Sequence, residues 1–300
     1  MMLFSLVAVL LLEQVRPSPV KRLVLDPLRA LVSRVSGACG RGRERLAWGL
    51  VVLTGTALCA FAACLLPLLL CIVFTVGVLY LTLGFRHESH FFTDIHLALR
   101  MQELGTARCL LAEWRGGQYE DADADEVARL AIEQALVASH RNVFGVIFWF
   151  VILGPCGAVM YRLARFLHDE WGGRQDIVPE GYGQFARHAF FIIDWLPSRL
   201  TAILFAIGGN FEDAVFCWRA QSVLWPDRGN AVLVASGAGA LGFRLGSVPG
   251  EGSDASVLDV GVGDKAGVDD MQATVGLVWR ALVVCLVLLA LTAVAVWVGG

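Results

Sequence analysis

Two charged residues in an otherwise lipid-like stretch are the strongest chemical signal in the chain. Asp194 and Arg199 lie within Ala189 to Ile207, among apolar side chains. A charge at membrane depth costs about 2.5–3.5 kcal/mol unless it is paired or solvated. Such residues therefore face a bundle interior or an aqueous cavity, where they can hold an ion or a polar ligand. Pro197 stands between them and is expected to break the regular helix, letting both side chains point into one cavity. The alternative is an interfacial helix end at which both meet water.

Other groups suggest chemistry more weakly. His87, His90 and His96 with Glu88 and Asp94 could supply metal ligands, but no two of these histidines are at i, i+4, and a polar collar beside a membrane span explains them more simply. Gly237-Ala-Gly-Ala-Leu-Gly242 satisfies the dinucleotide fingerprint and comes after the strand-like Ala231 to Ala235. A dinucleotide fold has no room to complete itself in the glycine-rich acidic segment and membrane span beyond it, so close helix packing through small residues is the better reading. The acidic segment Glu251 to Asp270 lacks the ligand spacing of a calcium loop and reads as a flexible tether. The eight cysteines contain no C-x-x-C pair, and Cys59, Cys64, Cys71 and Cys285 fall in predicted spans, where they act as small apolar residues. No metal site is assigned.

The elements that must position these residues are set by composition. Of 300 residues 57% are hydrophobic and 17% charged, the net charge is −3, and the mean hydropathy is +0.65. Such a chain is neither a soluble globular enzyme, nor disordered, nor a nucleic-acid binder; lipid is the solvent for much of it. Leu46 to Phe85 is 40 residues without a charge, enough for two crossings, with Pro67 placed to make the reversal. Val143 to Tyr161 is a third span ending at Arg162 and Arg165, Ala189 to Ile207 a weaker one, and Ala281 to Gly300 the last, with Arg280 at its edge. Met1 to Leu12 is apolar but half a span long; it lacks the flanks of a signal peptide and reads as a short inserted helix whose crossing is open. The expected class is all-α, a polytopic integral membrane protein with about five spans and a helical cytoplasmic domain.

The chain divides accordingly into 1–45, a short apolar segment and a basic loop; 46–85, a transmembrane hairpin; 86–142, a cytoplasmic helical domain; 143–207, two spans with polar residues; 208–276, a cytoplasmic amphipathic and acidic segment; and 277–300, the final span. Eight bases between Arg16 and Arg45, against Asp26 and Glu44, place loop 16–45 in the cytoplasm. Counting forward puts 86–142 and 208–276 in the cytoplasm, with 166–188 and the C-terminus outside. Asp123 and Glu126 resemble a capping box, so a helix starts there, and nothing stops it before Gly154-Pro155. Ala128, Ala131, Ala135 and Ala138 form a stripe along it, suited to close helix approach or simply to helix formation.

Ile193-Asp194-Trp195-Leu196-Pro197-Ser198-Arg199-Leu200-Thr201-Ala202, together with Gly154-Pro155-Cys156-Gly157-Ala158-Val159-Met160-Tyr161, resembles a superfamily of bacterial inner-membrane proteins. This is the group of the cobalamin-biosynthesis protein CobD/CbiB and the β-lactamase-induction modulator AmpE. Ala107-Arg108, Phe148-Trp149 and Gly239-Ala-Leu-Gly242 extend the resemblance through nearly the whole chain. In the cobalamin branch it implies an ATP- and Mg²⁺-dependent ligation of aminopropanol, or its phosphate, to adenosylcobyric acid.

The departures bear on that activity. Where that branch has an Asp-Asp pair and an Asn ahead of Pro-Ala-Arg, this chain carries Phe190-Phe191 and Asp194. Its Glu-Asn and Asp before the third span correspond to Val137, Ala138 and Arg141, and the Asn and Asp of Asn-Thr-Leu-Asp-Ser to Arg165 and His168. A phosphate-activating ligase cannot easily lose such acids. Asp-Trp-x-Pro-x-Arg-Leu and Phe205-Ala-Ile-Gly208 to Trp218 look more like the AmpE branch. The resemblance thus implies an inner-membrane binding or signalling component without ligase activity, with Asp194, Arg199, Arg108, Arg165 and His168 as ligand-binding candidates. The competing expectation is the synthase itself, using ATP and Mg²⁺. The partners implied are membrane lipid and a corrinoid or cell-wall-related small molecule, with a homo-oligomer compatible and no nucleic acid. A reporter fused to Gly300 should read as outside the cytoplasm; a cytoplasmic signal would overturn this topology.

Overall fold

Chain breakers and caps decide where the helices of this protein end. The computed structural model describes residues 2–15, 26–40, 42–173, 181–222, 229–246 and 259–299. Arg16, Lys21, Arg22 and Arg41 of the basic segment, and residues 251–258 of the acidic one, lie outside them. In chain order the helices are α1 (Met2–Val15), α2 (Asp26–Cys39), α3 (Glu44–Leu65), α4 (Leu68–Thr82), α5 (Phe85–Arg100), α6 (Leu104–Arg115), α7 (Ala124–Ser139), α8 (Gly145–Leu153), α9 (Pro155–Gly173), α10 (Tyr182–Gly208), α11 (Phe211–Gln221), α12 (Ala231–Leu241) and α13 (Met271–Gly299). One short antiparallel pair, β1 (Leu245–Gly246) and β2 (Asp259–Val260), interrupts an otherwise helical chain. Glu44–Leu65, Ala124–Leu153, Tyr182–Gly208 and Val268–Val296 are long and apolar enough to cross a membrane.

Pro67 separates α3 from α4, at the expected break. Asp123 starts α7, its carboxylate accepting from the Glu126 amide at 2.7 Å. Glu126 turns to Arg129, 3.4 Å away, instead of reaching back to the cap. From there one helix runs to Leu153, with a π turn at His140–Phe144 between α7 and α8. Gly154, at φ +65°, ends it, because a left-handed residue cannot continue a right-handed helix. Pro155 opens α9, where its missing N–H is no loss. The third span expected at Val143 to Tyr161 is therefore corrected: its first part closes the long helix and its second belongs to α9. A second correction concerns Pro197, which sits inside the unbroken α10. Prolines are tolerated in such helices when neighbouring groups satisfy the freed carbonyl. Five helical residues rotate by about 140°, so Asp194 and Arg199 do not share a face of α10.

The chain gathers into two compact units, Met1–Gly84 with Gly145–Pro197, and Phe85–Phe144 with Ser198–Gly300. In the first, α3 and α4 both pack on α9, α4 also on α1, and α3 on α2. Its core contains Leu79, Leu83, Phe150, Tyr161 and Phe190, and a second cluster gathers Val51, Leu167, Trp171 and Tyr182.

In the second unit α7 is the central element, packing on α5, α6, α12 and α13. Its alanine stripe serves that packing: Ala128, Ala131 and Ala138 are buried and Ala135 partly so. The glycines of Gly237 to Gly242 lie in α12 and at its C-cap, not in a strand-to-helix turn. α12 is buried along its length. A Cβ on Gly239 would overlap the Asp213 carbonyl of α11, and one on Gly237 would stand 2.6 Å from Leu136 Cδ1.

The described end of the acidic segment is fixed in place, which corrects the expected tether. Arg244 N donates to Asp264 O at 2.7 Å and Ala266 N to Arg244 O at 3.1 Å. The Gln221 side-chain amide holds both the N–H and the carbonyl of Gly261, at 2.7 and 3.2 Å. Gly239→Val should lower stability by about 1–3 kcal/mol through overpacking. Gly77→Ala on α4, where nothing lies within 4 Å of an added Cβ, should raise it by about 0.5–1 kcal/mol. Thermal unfolding of the detergent-solubilised protein checks both.

Candidate functional site

The first unit holds a polar group deep in its core. Asp194 of α10 is buried and accepts a hydrogen bond of 2.8 Å from the Tyr161 hydroxyl of α9, which is itself fully buried. Glycine at 145 makes this possible, since a Cβ there would overlap the Tyr161 hydroxyl. The Tyr161 ring lies tilted against Phe190, centroids 5.6 Å apart, and Phe190 in turn meets the His168 ring at 5.0 Å. His168 Nδ1 is 2.9 Å from Asp169 Oδ1, and Arg165 Nε is 3.4 Å from Asp169 Oδ2. The structure therefore links three candidates, Asp194, His168 and Arg165, through Tyr161, Phe190 and Asp169. Beside them on α9, Glu170 pairs with Arg29 at 3.2 Å.

Arg199 and Arg108 belong to the second unit. Arg199 is half-buried on α10 beside the buried Ser198 and Thr201. Arg108 has a structural partner: its Nε donates to the Ala122 carbonyl at 2.8 Å, tying α6 to the loop that precedes α7.

The π turn is the feature that the sequence did not announce. One extra backbone position per turn re-aims its side chains, and such turns are frequent at functional sites. His140, fully buried in it, shares a hydrogen bond of 2.9 Å between Nδ1 and Thr201 Oγ1. Asn142 Nδ2 donates to Ala138 O at 2.9 Å. Ser236 of α12 donates to the Ala202 carbonyl of α10 at 2.8 Å.

Glu133 on α7, 2% exposed, is a further group that sequence reasoning missed. Its Oε2 accepts from Arg115 Nη1 at 3.0 Å, and the same nitrogen donates to Leu130 O at 3.2 Å. This ion pair joins the end of α6 to the middle of α7. Its Oε1 has no partner among the described residues. His90 is exposed and His96 half-buried, with burial pushing the His96 imidazole down from its ordinary value. Among the described residues no three His, Cys, Asp or Glu side chains are grouped to share a metal ion. All eight cysteines are free, and burial together with the charge of Asp213 pushes the Cys217 thiol up to about 11.

Helices of span length, with polar groups matched inside the protein, define a polytopic helical membrane protein. Within that class the chain belongs to the CobD/Cbib protein family, whose sequence model matches residues 16–278. It is 31% identical over 293 residues to a "Cobalamin biosynthesis protein CobD" of Stutzerimonas stutzeri, covering 95% of this chain and 96% of that one. It is 34% identical over 228 residues to the protein of the same name from Chromobacterium violaceum, covering 75% and 72%. A "Cobalamin biosynthesis protein CbiB" of Salmonella typhimurium is 26% identical over 223 residues, covering 71% and 69%. No solved structure matches the chain.

Of the residues that the resemblance sets at acidic motif positions, four offer Mg²⁺ no oxygen, whereas Asp194 is a carboxylate. Phe190 is packed between two rings, Phe191 is an exposed hydrocarbon, and Arg165 and His168 both face Asp169. None of these four supplies the oxygen donors that Mg²⁺ needs. Arg115→Met should destabilise the protein by about 3–5 kcal/mol, because it strands a buried carboxylate. Arg115→Met with Glu133→Leu should recover most of that loss in the same unfolding measurement.

Proposed function

We propose that this chain is a non-catalytic binding or signalling component of the bacterial inner membrane, with its basic loop 16–45 in the cytoplasm. The observation that carries the reading is Phe190. Where the synthase branch has an acid, this chain inserts a buried ring between Tyr161 and His168. The neighbouring Asp194 carboxylate accepts from a phenol and lies in an apolar core, an arrangement that suits a ligand's donor group exchanging with the Tyr161 hydroxyl. Arg165 and His168, held by Asp169, then serve as secondary contacts. Arg199 and Arg108 are separate candidate contacts within the second unit. The ligand is a polar small molecule of corrinoid or cell-wall origin.

A second reading is favoured by the relatives, which carry cobalamin-biosynthesis names and in one case match across nearly the full chain. It is the ATP-dependent synthase that joins adenosylcobyric acid to aminopropanol or its phosphate. Complementation separates the two. Expressed in a strain lacking the synthase, this chain should yield no amidated corrinoid above the empty vector, whereas the strain's own synthase gene restored on the same vector serves as the positive control. Restored amidation that Asp194→Ala abolishes would overturn the non-catalytic reading.

A further inference from the structure

A cavity of about 230 Å³ opens in the second unit between α5, α6, α7 and α13. It shares no residue with the groups around Asp194 and does not depend on how they are read. Its walls are apolar and aromatic, with Phe92, Trp114, Val275, Val278 and Trp279 among the lining residues. Trp114 is held rigidly, stacked on Phe91 at 6.1 Å with 6° between the planes and met edge-on by Phe92 at 6.4 Å.

Glu88 is the one ionisable side chain among the described residues that line this cavity. Glu88 presents a carboxylate whose Oε2 accepts from Trp114 Nε1 at 2.5 Å. The hydroxyls of Thr93, Ser139 and Thr274 donate to the carbonyls of Ser89, Leu136 and Asp270, at 2.8, 2.8 and 3.5 Å. A hydroxyl whose proton is committed to its own helix faces outward as an acceptor. No Lys, Arg or His lines the cavity among the described residues. No cationic side chain among the described lining residues would neutralise an anionic ligand, whereas an ammonium group would find a carboxylate, hydroxyl lone pairs and indole faces. The volume is below the roughly 300–1,000 Å³ of drug-sized sites, so the ligand is a single ring or a short chain.

We infer that this cavity binds an organic ammonium ion with an apolar body, its charge at Glu88 and Trp114 and its hydrocarbon against Val275, Val278 and Trp279. That chemistry is offered both by soluble amines and by the ethanolamine head of a membrane lipid.

Equilibrium dialysis of the full-length, detergent-solubilised protein tests this with two probes of similar shape and opposite charge, phenethylammonium and phenylacetate. Phenethylammonium should bind the wild-type protein and phenylacetate should not, a comparison that requires no variant. Glu88→Gln should weaken phenethylammonium about tenfold or more, as expected for loss of a charge-assisted contact. Ala135→Leu, which fills the cavity from the α7 wall, should weaken it similarly while leaving Glu88 in place. Equal binding of phenylacetate, or an unchanged affinity in folded Glu88→Gln, would overturn the assignment. Repeating the titration in nanodiscs identifies the source. Loss of binding in phosphatidylethanolamine but not in phosphatidylglycerol supports a lipid head as occupant, and retention in both supports a soluble amine.

Discussion

Polar groups that leave water inside lipid-like helices must find their partners within the protein. In hydrocarbon an unmatched donor or acceptor costs several times what a hydrogen bond contributes in water. Asp194 answers this constraint with the Tyr161 hydroxyl, His140 with Thr201, and Ser236 with a carbonyl of the neighbouring helix. Thr54, Thr56, Thr75 and Thr82 answer it locally, each donating to a carbonyl four residues back on its own helix. Glu133 answers it with half of its carboxylate, through Arg115. Helices, glycines and aromatic rings are placed so as to keep these pairs together: Gly145 is a glycine because Tyr161 must reach Asp194.

The family frame spans most of this chain. The frame is retained, since the family match runs from residue 16 to residue 278. Where the resemblance implies acids, the chain places the Phe190 ring and the contacts of Arg165 and His168 to Asp169, and the proposed non-catalytic reading rests on that difference. A scaffold held together by buried helix packing tolerates such exchange as long as each new polar group is matched. Arg165 and His168 meet this condition by sharing Asp169.

Local features of the fold were legible in the sequence. The proline break at 67, the Asp123 cap and the Gly154-Pro155 stop each depend on residues next to one another, and each falls where it was expected. Asp194 was legible because charge is scarce around it. Its partner was not, since Tyr161 lies 33 residues away and no periodicity connects the two. The same holds for His140 and Thr201, 61 residues apart, and the π turn has no residue signature. Glu133 escaped notice because a glutamate in a helix assigned to the cytoplasm needs no explanation until its burial is seen. Pro197 misled for a related reason: a helix-breaking residue in water is tolerated where tertiary neighbours can satisfy the freed backbone.

The small helix α12 has a consequence for how the protein is made. Eleven residues at 1.5 Å each give about 16 Å, half the thickness of a hydrocarbon core, so lipid alone cannot hold this segment across a bilayer. What holds it is protein, with α11, α7 and α13 against its glycines and alanines. α7 and α11 precede α12 in the chain and α13 follows it, so its seat is complete only once α13 is in place.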